Sequence, residues 1–315
     1  MKKAKYPFSL MLIIVINGLL PVLACSDTKY PPNTKHSIPL SRIHSGGPPP
    51  DGIPSIDKPK FISVTKADKF LRDEDMGIAV TVGDTHRFYP NRILVWHEIV
   101  NDVIGKQPVL VTFCPLCGTG IVFEPIVKGK RTEFGTSGKL WNSNLLMYDR
   151  RTKSYWSQVL GKAVVGEMTG TKLKLLPYQN VSWRYWKKEH PKGEVLSRDT
   201  GHQRDYNKSP YGNYNSNKSI YFPVDKLDKR YHPKSITFGI EIKGKYKVYP
   251  MIELEKSKSP FVDQVAGVKI KVTFSKKNKT IHIKRLDTKK EVLPFYGFWF
   301  SWMAVHPKSS VYKAP

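Results

Sequence analysis

The 315-residue sequence contains only three cysteines, Cys25, Cys114 and Cys117, so any chemistry that needs thiols depends on these positions. Its most apolar stretch, residues 8–16, is too short for a membrane-spanning helix. The sequence also lacks a glycine-rich phosphate loop, a His-Glu-x-x-His zinc helix, a serine elbow and a paired-carboxylate pattern. These absences leave the cysteines as the clearest chemical feature.

The first 25 residues have the pattern of a bacterial export signal. Three lysines stand among the first five residues, the apolar stretch follows, and Ala24 precedes Cys25. A small residue directly before a cysteine resembles the lipobox of bacterial lipoproteins, in which the cysteine becomes the lipidated N-terminus. We therefore predict a signal peptide over residues 1–24 and a lipid anchor at Cys25; the alternative is an ordinary cleaved signal that leaves a free thiol. Because Ser26 follows the cysteine, we expect the periplasmic side of the outer membrane rather than of the inner membrane.

The segment after the predicted anchor has the composition of a linker. Residues 26–59 are rich in proline, serine, glycine and asparagine and include two glycines followed by three prolines at 46–50. Such a composition buries too little apolar surface to order itself. We therefore predict a flexible, lipid-anchored tether over residues 25–59.

Basic residues outnumber acidic residues by 52 to 26, which gives a formal net charge of +26, or +23 without the three lysines of the signal. In the cell envelope such a charge attracts lipopolysaccharide phosphates, phospholipid head groups and acidic glycans. No helix face or arm concentrates the charge, however, which favours a scattered, solvated distribution. No nucleic-acid-binding motif accompanies the charge, so we expect no specific nucleic-acid binding.

Two segments whose starts are 162 residues apart read alike, at residues 77–113 and 239–274. Each predicts a first strand, a second strand that ends in Tyr-Pro, a helix, and a third strand that ends in Val-Thr-Phe. We predict an α+β fold that is predominantly antiparallel β with few helices and contains two diverged pseudo-repeats. The predicted domains are a first repeat at 60–178, an irregular connector at 179–234 and a second repeat at 235–315.

The clearest predicted helix follows Pro90 in the first repeat. Apolar residues between Ile93 and Ile104 recur at helical spacing before Gly105, whereas the corresponding helix of the second repeat is cut short before Pro260. Because the repeats differ here, we expect the chemistry in the first. Elsewhere we predict a hairpin at 145–159, a short aromatic helix at 181–187 and a long irregular loop at 197–219.

The predicted strand 108–113 runs directly into Cys114-Pro-Leu-Cys117-Gly. This turn resembles a metal knuckle, which would bind copper or zinc if His202 or His97 supplied a further ligand. The same pair is also consistent with a redox-active dithiol or with Cys114 as a nucleophile activated by a histidine. A structural disulfide is the alternative without chemistry.

The two histidines have different expected roles. His97 lies on the apolar face of the predicted helix, where a core histidine bonded to a backbone carbonyl is the favoured interpretation. His202 lies in the irregular loop beside Arg204 and is the better candidate for function.

Further polar residues stand among apolar neighbours. They either line a pocket or satisfy hydrogen bonds within the core, and the candidates are Ser137, Asn142, Asp149, Arg150, Ser157, Gln158 and Arg204.

Several stretches together resemble the domain-of-unknown-function family numbered 3179, found in bacteria and archaea. The resemblance runs from Pro48 to Pro307 and is carried mainly by residues 112–123, 135–158 and 298–307. It implies that the cysteine turn and the polar residues after it belong to one signature, and it supplies no activity.

These features together predict a metal- or thiol-dependent envelope lipoprotein that uses Cys114, with Cys117 and His202, in a cleft on a small extracytoplasmic substrate. The alternative from another class is a non-catalytic basic lipoprotein that binds an anionic envelope polymer.

Overall fold

The computed structural model describes residues 30–315, so the predicted signal peptide and Cys25 lie outside the described residues. Strands account for 41% of the structure. Within the described part there are five short α-helices, α1 (Val64–Ala67), α2 (Asn91–Leu94), α3 (Trp183–Glu189), α4 (Met251–Leu254) and α5 (Trp299–Val305), and a 3-10 helix at Leu40–Arg42. In this part of the chain, none of the helices has the length and apolar character needed to cross a membrane. The prediction of a mainly antiparallel β protein with few helices is confirmed.

The strands are short and are numbered in chain order. They are β1 (Ile43–Ser45), β2 (Phe61–Ser63), β3 (Met76–Val82), β4 (Thr85–Pro90), β5 (Ile99–Ile104), β6 (Gln107–Cys114), β7 (Thr119–Glu124), β8 (Ile126–Val127), β9 (Lys130–Arg131), β10 (Phe134–Trp141), β11 (Asn144–Asp149), β12 (Tyr155–Ser157), β13 (Lys162–Val165), β14 (Lys174–Leu175), β15 (Tyr178–Ser182), β16 (Glu194–Leu196), β17 (Ile236–Ile242), β18 (Lys245–Pro250), β19 (Phe261–Val265), β20 (Val268–Ser275), β21 (Thr280–Arg285), β22 (Phe295–Phe298) and β23 (Ser310–Val311).

Five sheets of three to five strands form the body of the protein. Their strand orders are β1-β10-β11-β12-β13, β14-β7-β6-β5, β15-β3-β4-β16-β2, β22-β17-β18-β23 and β19-β20-β21. The arrangement resembles a five-bladed β-propeller, which was not predicted. Almost every strand contact is antiparallel; β16 and β23 are the exceptions, lying parallel to β4 and β18.

The described part of the predicted tether is packed against the folded domain, which corrects that prediction. β1 pairs with the end of β10, and Ile56 lies in a bridge with Val100. Ile38, Ile43 and Ile56 are buried. The composition of the segment as a whole is that of a linker, but a few isoleucines at suitable positions bury enough apolar surface to fix it.

The two similar segments adopt the same order of elements. β3, β4, α2, β5 and β6 follow one another in the first half, as β17, β18, α4, β19 and β20 do in the second. β15 and β16 flank the β3–β4 pair as β22 and β23 flank β17–β18. The observed topology is compatible with the predicted repeats.

The long helix predicted after Pro90 is wrong. The chain forms only the single turn α2 and then the strand β5, so α2 is as short as α4 in the second half. β5 is rich in β-branched residues and buried on both faces, and such a strand shows the same continuous apolar run as a buried helix. Gly105, with a φ of +61°, supplies the turn into β6.

Other local predictions are confirmed. β11 and β12 form the predicted hairpin, and α3 is the predicted aromatic helix. The segment 179–234 is not irregular throughout, however, because it holds most of β15 and all of α3 and β16; strands and helices are absent only from residues 197–235.

A second sequence pattern occurs in both halves of the chain. Trp-x-x-Trp-x-x-x-His-Pro occurs at residues 183–191 and again at 299–307, where it covers α3 and α5. The ring of His190 stacks on His86 at 4.1 Å, and that of His306 stacks on Tyr246 at 3.9 Å. Each helix is therefore anchored to its own half through the same contact.

Candidate functional site

The cysteine turn joins β6 to β7 at the centre of the fold. Cys114 and Thr119 are the last paired residues, and the Cys117 amide donates to the Cys114 carbonyl at 3.2 Å. Gly118 has a φ of +60°, and a Cβ at this position would lie 2.8 Å from the ring of Phe298. Glycine is therefore needed here both for the backbone conformation and for space.

Both thiols are free and lie in the largest buried cluster, 1% and 0% exposed. They point toward one backbone oxygen: the Ser143 carbonyl lies 3.3 Å from Cys117 Sγ and 3.9 Å from Cys114 Sγ. Asn142 and Ser143 form the two-residue turn between β10 and β11, with φ values of +51° and +61°. Positive φ angles at both residues are typical of a type I′ turn. The turn places the Ser143 carbonyl next to the thiols.

The surroundings of the two thiols differ. Burial, the hydrogen bond with Cys117 and the charges of Cys117 and Glu98 raise the pKa of Cys114 well above its usual value. Burial also opposes the ionisation of Cys117, but the polar groups next to it, namely the Cys114 thiol, the Ser301 hydroxyl and the Asn144 amide, outweigh burial and lower the pKa of this thiol. Cys117 is therefore the thiol that ionises first, although the sequence singled out Cys114 as the nucleophile.

Ser301 belongs to α5, so the second half of the chain contributes directly to this site. Its hydroxyl is buried, and no conventional hydrogen-bond partner for it lies within residues 30–315. The Phe298 amide, in the strand before α5, donates to the Cys117 carbonyl at 2.8 Å. Both contacts hold the second cysteine from the same side.

Gln158 fixes the base of the turn. Its Oε1 accepts from the Thr119 hydroxyl at 2.8 Å and from the Asn144 amide at 2.9 Å. Its Nε2 donates to the Thr119 carbonyl at 3.1 Å and to the Thr112 hydroxyl at 3.2 Å. One buried side chain therefore joins both ends of the cysteine turn to the hairpin that carries Ser143 and Asn144.

Glu98 is a buried acid beside the thiols, and the sequence did not identify it. It follows α2, is 7% exposed and has a φ of +60°, an unfavourable conformation for a residue other than glycine. Its backbone carbonyl accepts from the amide of Phe113, the residue before Cys114, at 2.7 Å. Burial raises the pKa of its carboxyl to about 8. An acidic residue inside the apolar run 93–104 was the available signal.

Residues 206–217, which we call the cover segment, lie over the cysteine turn. Three tyrosine hydroxyls attach the segment to the first half of the chain. Tyr206 bonds to His97 at 2.7 Å, Tyr211 to Glu98 Oε1 at 3.4 Å and Tyr214 to the Leu116 carbonyl at 3.0 Å. The cover segment lies within the irregular loop for which a functional role was one prediction.

A cavity of about 550 Å³ lies between the cover segment and the cysteine turn. The turn contributes Phe113, Pro115 and Gly118 to its wall, and the cover segment contributes Tyr206, Asn207, Lys208, Ser209, Tyr211 and Asn215. Its size is that of a site for a small organic molecule. The thiols themselves lie behind the wall rather than in it.

The two candidate histidines do not face the thiols. His97 bonds through Nδ1 to the Pro54 carbonyl and through Nε2 to Tyr206, and burial lowers its pKa to about 4. A carbonyl only accepts, so Nδ1 carries the proton and Nε2 accepts from the tyrosine. His202 is exposed, 5.5 Å from the His97 ring between ring centroids, and lines a shallow surface pocket together with Arg204.

A metal ion therefore lacks a third ligand at the cysteine turn. Within residues 30–315, no group of three or more His, Cys, Asp and Glu side chains is arranged to hold one. Neither His97 nor His202 completes the predicted copper or zinc site.

Most of the polar residues singled out in the sequence form hydrogen bonds within the fold. Ser137 donates to the Leu146 carbonyl, Asn142 bonds to Asp225, Asp149 accepts from Thr152 and Trp156, Arg150 pairs with Asp51, Asp57 and Glu133, and Ser157 accepts from the Leu160 amide. Neither they nor Gln158 line the cavity under the cover segment. These contacts are the core hydrogen bonds that were the alternative prediction.

The chain belongs to the family described as "Protein of unknown function (DUF3179)", whose model matches residues 50–295. The match bears out the family resemblance read from the sequence. Neither a curated protein nor a solved structure matches the chain.

Proposed function

We propose that Cys114 and Cys117 form a redox-active dithiol that reacts with a small extracytoplasmic substrate. The observation that carries the proposal is that two free thiols within one turn converge on the Ser143 carbonyl oxygen. The lowered pKa of Cys117 and the raised pKa of Cys114 agree with a thiolate beside a thiol. A thiolate is the attacking species in thiol–disulfide exchange, and a nearby protonated thiol supplies the second sulfur. The pair combines both forms within one four-residue turn.

In the proposed reaction the Cys117 thiolate attacks one sulfur of a small disulfide. This step forms a mixed disulfide and releases the first substrate thiol. The Cys114 sulfur then attacks Cys117, forms the Cys114–Cys117 disulfide and releases the second substrate thiol. Two electrons pass from the protein to the substrate, and the two protons of the protein thiols end on the two released thiols.

In the smaller fraction of molecules in which it is ionised at neutral pH, Glu98 is suited to accept the proton of Cys114 in the second step. A carboxyl with a pKa of about 8 exchanges protons near neutral pH, as a general base must. Tyr211 lines the cavity, and its hydroxyl donates to Glu98 at 3.4 Å. The hydroxyl and the carboxyl together form a polar route from the cavity toward the thiols.

The proposed reaction requires the cover segment to move, because both thiols are buried. Only a few side-chain hydrogen bonds join this segment to the turn, and the segment contains no helix or strand. Irregular segments of this kind are drawn from the less stable parts of proteins. We propose that its opening admits the substrate.

The proposal is tested by a redox titration of the intact protein. The protein is equilibrated in thiol–disulfide buffers between about −320 and −100 mV, a range that spans known protein dithiols. It is then quenched in acid and alkylated after unfolding. Trypsin releases both cysteines on one peptide, residues 107–128, so mass spectrometry counts them independently of Cys25. We expect a reversible change between zero and two blocked thiols within this range.

Two variants, each with one of the two cysteines replaced by serine, are treated in the same way as the wild type. Cys114→Ser retains a hydroxyl donor beside Cys117 and is expected to keep a reactive thiolate but to stop at the mixed disulfide. Cys117→Ser is expected to lose fast reaction altogether. A pair that stays reduced, or stays oxidised, over the whole range contradicts the proposal.

We also propose that lipid at Cys25 holds the protein on the periplasmic side of the outer membrane. The support is the run of basic, apolar and small residues before this cysteine. Metabolic labelling with palmitate should mark the wild type and not Cys25→Ser. A labelled Cys25→Ser protein overturns this assignment.

We further propose that the two halves are diverged copies of one unit. The support is their common order of elements together with the repeated Trp-x-x-Trp-x-x-x-His-Pro pattern at residues 183–191 and 299–307. The first copy has gained residues 125–177 between β7 and β15, whereas only a short link joins β21 to β22. Stability measurements at matched positions, given in the Discussion, test the equivalence.

A further inference from the structure

We infer that the molecule that reacts at the dithiol is a small anionic disulfide, which Lys234 attracts into the cavity under the cover segment. This inference rests on the proposed function and adds the charge of the substrate to it. It is carried by the uneven balance of charges along the cavity wall, where Lys234 is a buried cation without a carboxylate partner.

Three cations and one acid line the cavity. Arg92 is neutralised, because its guanidinium bonds to both carboxylate oxygens of Asp75 at 3.0 Å. Lys208 pairs at 3.4 Å with Asp205, which lies outside the cavity wall. Lys234 has no carboxylate within ion-pair distance anywhere in the described part of the chain.

Lys234 is nevertheless buried, with 5% of its surface exposed. Its ammonium donates to the Tyr214 carbonyl, to the Asn217 carbonyl at 3.0 Å and to Asn217 Oδ1 at 3.1 Å, and it lies 3.3 Å from the centre of the Tyr214 ring. These contacts satisfy its three N–H groups but leave its positive charge uncompensated. An uncompensated charge in a low-dielectric wall produces a strong positive potential in the adjoining space.

Glu98, the buried acid beside the thiols, does not cancel this potential. Burial favours the protonated, uncharged form of Glu98 up to a pH of about 8. The electrostatic potential in the cavity is therefore positive before the substrate binds.

The wall offers contacts for the rest of a small organic molecule. Val95, Phe113 and Phe298 supply apolar surface. The side-chain oxygen of Asn91 is buried without a hydrogen-bond partner among the described residues, and Asn91 lines the cavity. A hydrogen-bond donor on a ligand, such as a hydroxyl or an N–H group, would satisfy this oxygen. A short apolar body with a negatively charged end fits these features.

The test uses three small disulfides of one chain length that differ only in their end group. They are 3,3′-dithiodipropionate, which is anionic, 2-hydroxyethyl disulfide, which is neutral, and cystamine, which is cationic. The rate at which each oxidises the dithiol is measured on the peptide 107–128 of the intact protein. Each rate is divided by the rate of the same disulfide with 2-mercaptoethanol, which removes differences in intrinsic reactivity.

We expect the normalised rate of the anionic disulfide to exceed that of the neutral one about tenfold, with the cationic one slowest. Lys234→Gln, which keeps an amide donor but removes the charge, should reduce this ratio to near one. The matched control is Lys269→Gln, which removes one charge from an exposed position outside the cavity and should leave the ratio unchanged.

Ionic strength separates Lys234 from the general positive charge of the chain and needs no variant. At about 0.5 M salt, attraction by exposed charges is screened within a few ångström. A preference caused by the buried lysine persists at this salt concentration, and a preference that disappears overturns the inference. Equal normalised rates for the three disulfides also overturn it, but leave the dithiol proposal standing. If none of the three oxidises the pair, the dithiol proposal itself fails.

Discussion

The two halves of the chain keep the same scaffold but differ in what the scaffold holds. In the first half the Tyr89 hydroxyl and the Arg87 guanidinium both bond to Asp102. In the second half Tyr249 and Lys247 bond to Asp263 in the same arrangement. This buried polar contact fixes the strand that follows the short helix in each half, so it is structural.

The position just before this same strand differs between the two halves. Glu98 and Ser259 both receive the amide of the phenylalanine 15 positions later, Glu98 through its backbone carbonyl and Ser259 through its hydroxyl. Only the first half places a carboxyl there and follows the phenylalanine with a cysteine turn. The carboxyl and the cysteine turn therefore occur in the first half, at positions where the second half has neither.

The site is nevertheless not confined to the first half. Residues 125–177 contribute Ser143, Asn144 and Gln158, and the second half contributes Ser301. The second half therefore forms part of the wall around the thiols. After its own Phe274, which corresponds to Phe113, no cysteine turn follows.

The largest expected difference between the halves concerns the two aspartates. Asp102→Ala leaves the largely buried Arg87 with only the partly exposed Glu194 as counter-charge and should lower the free energy of unfolding by about 2 to 4 kcal/mol. Asp263→Ala should cost about 1 to 3 kcal/mol, because the flexible Lys247 side chain can turn toward water. Urea denaturation at pH 7 measures both.

Asp287→Ala is the control for these two variants. Its partner Arg285 is at the surface, so the loss should be the smallest of the three. A loss for Asp102→Ala no greater than that of the control would show that the buried contact does not fix the scaffold.

The next effect distinguishes Glu98 from Ser259 by its pH dependence. The folded protein keeps the Glu98 proton up to a pH of about 8, whereas the unfolded chain releases it near pH 4.5. The unfolded state therefore binds fewer protons between these values, and Glu98 makes stability fall as pH rises through this window. The loss should reach about 3 kcal/mol between pH 4.5 and pH 7.

Glu98→Gln should remove this part of the pH dependence, which denaturation at several pH values measures as a difference from the wild type. Ser259→Ala is the matched control from the second half, and its effect should not change with pH. Parallel curves for the wild type and Glu98→Gln would mean that the carboxyl ionises normally.

The smallest effects should be equal in the two halves. Gly77 and Gly239 occupy corresponding positions, and an added Cβ would meet the ring of Phe88 or of Trp302. Gly77→Ala and Gly239→Ala should each cost about 1 to 3 kcal/mol through overpacking. Val262→Ala, at a 61% exposed position, should stay within about 0.5 kcal/mol. Strongly unequal losses at the two glycines would argue against equivalent packing.

Several features of the site were predictable because they depend on local sequence. The Cys-Pro-Leu-Cys-Gly turn lies between two strands as expected, since apolar strand residues stop there and glycine starts the return. Of the polar residues after it, Gln158 does bond to the end of the turn, as a hydrogen-bonding partner within the core. His97 has the carbonyl-bonded role that its apolar neighbours favoured.

Other features could not be predicted because they depend on distant contacts. The surroundings of Cys117 include Ser301, which is almost two hundred residues away in the chain. Lys234 reads in the sequence as one of many lysines, and only its burial under the cover segment distinguishes it.

The sequence by itself determined the β-rich class, the similarity of the two halves, the family and the position of the cysteine turn, because strand patterns, repeats and turn residues are local properties. The tertiary structure decided that residues 99–104 form a strand, that residues 30–59 pack onto the domain and that Glu98 and Lys234 are buried. These outcomes depend on which surfaces come together, because strand pairing and the loss of water around a charge are set by neighbours far away in the chain.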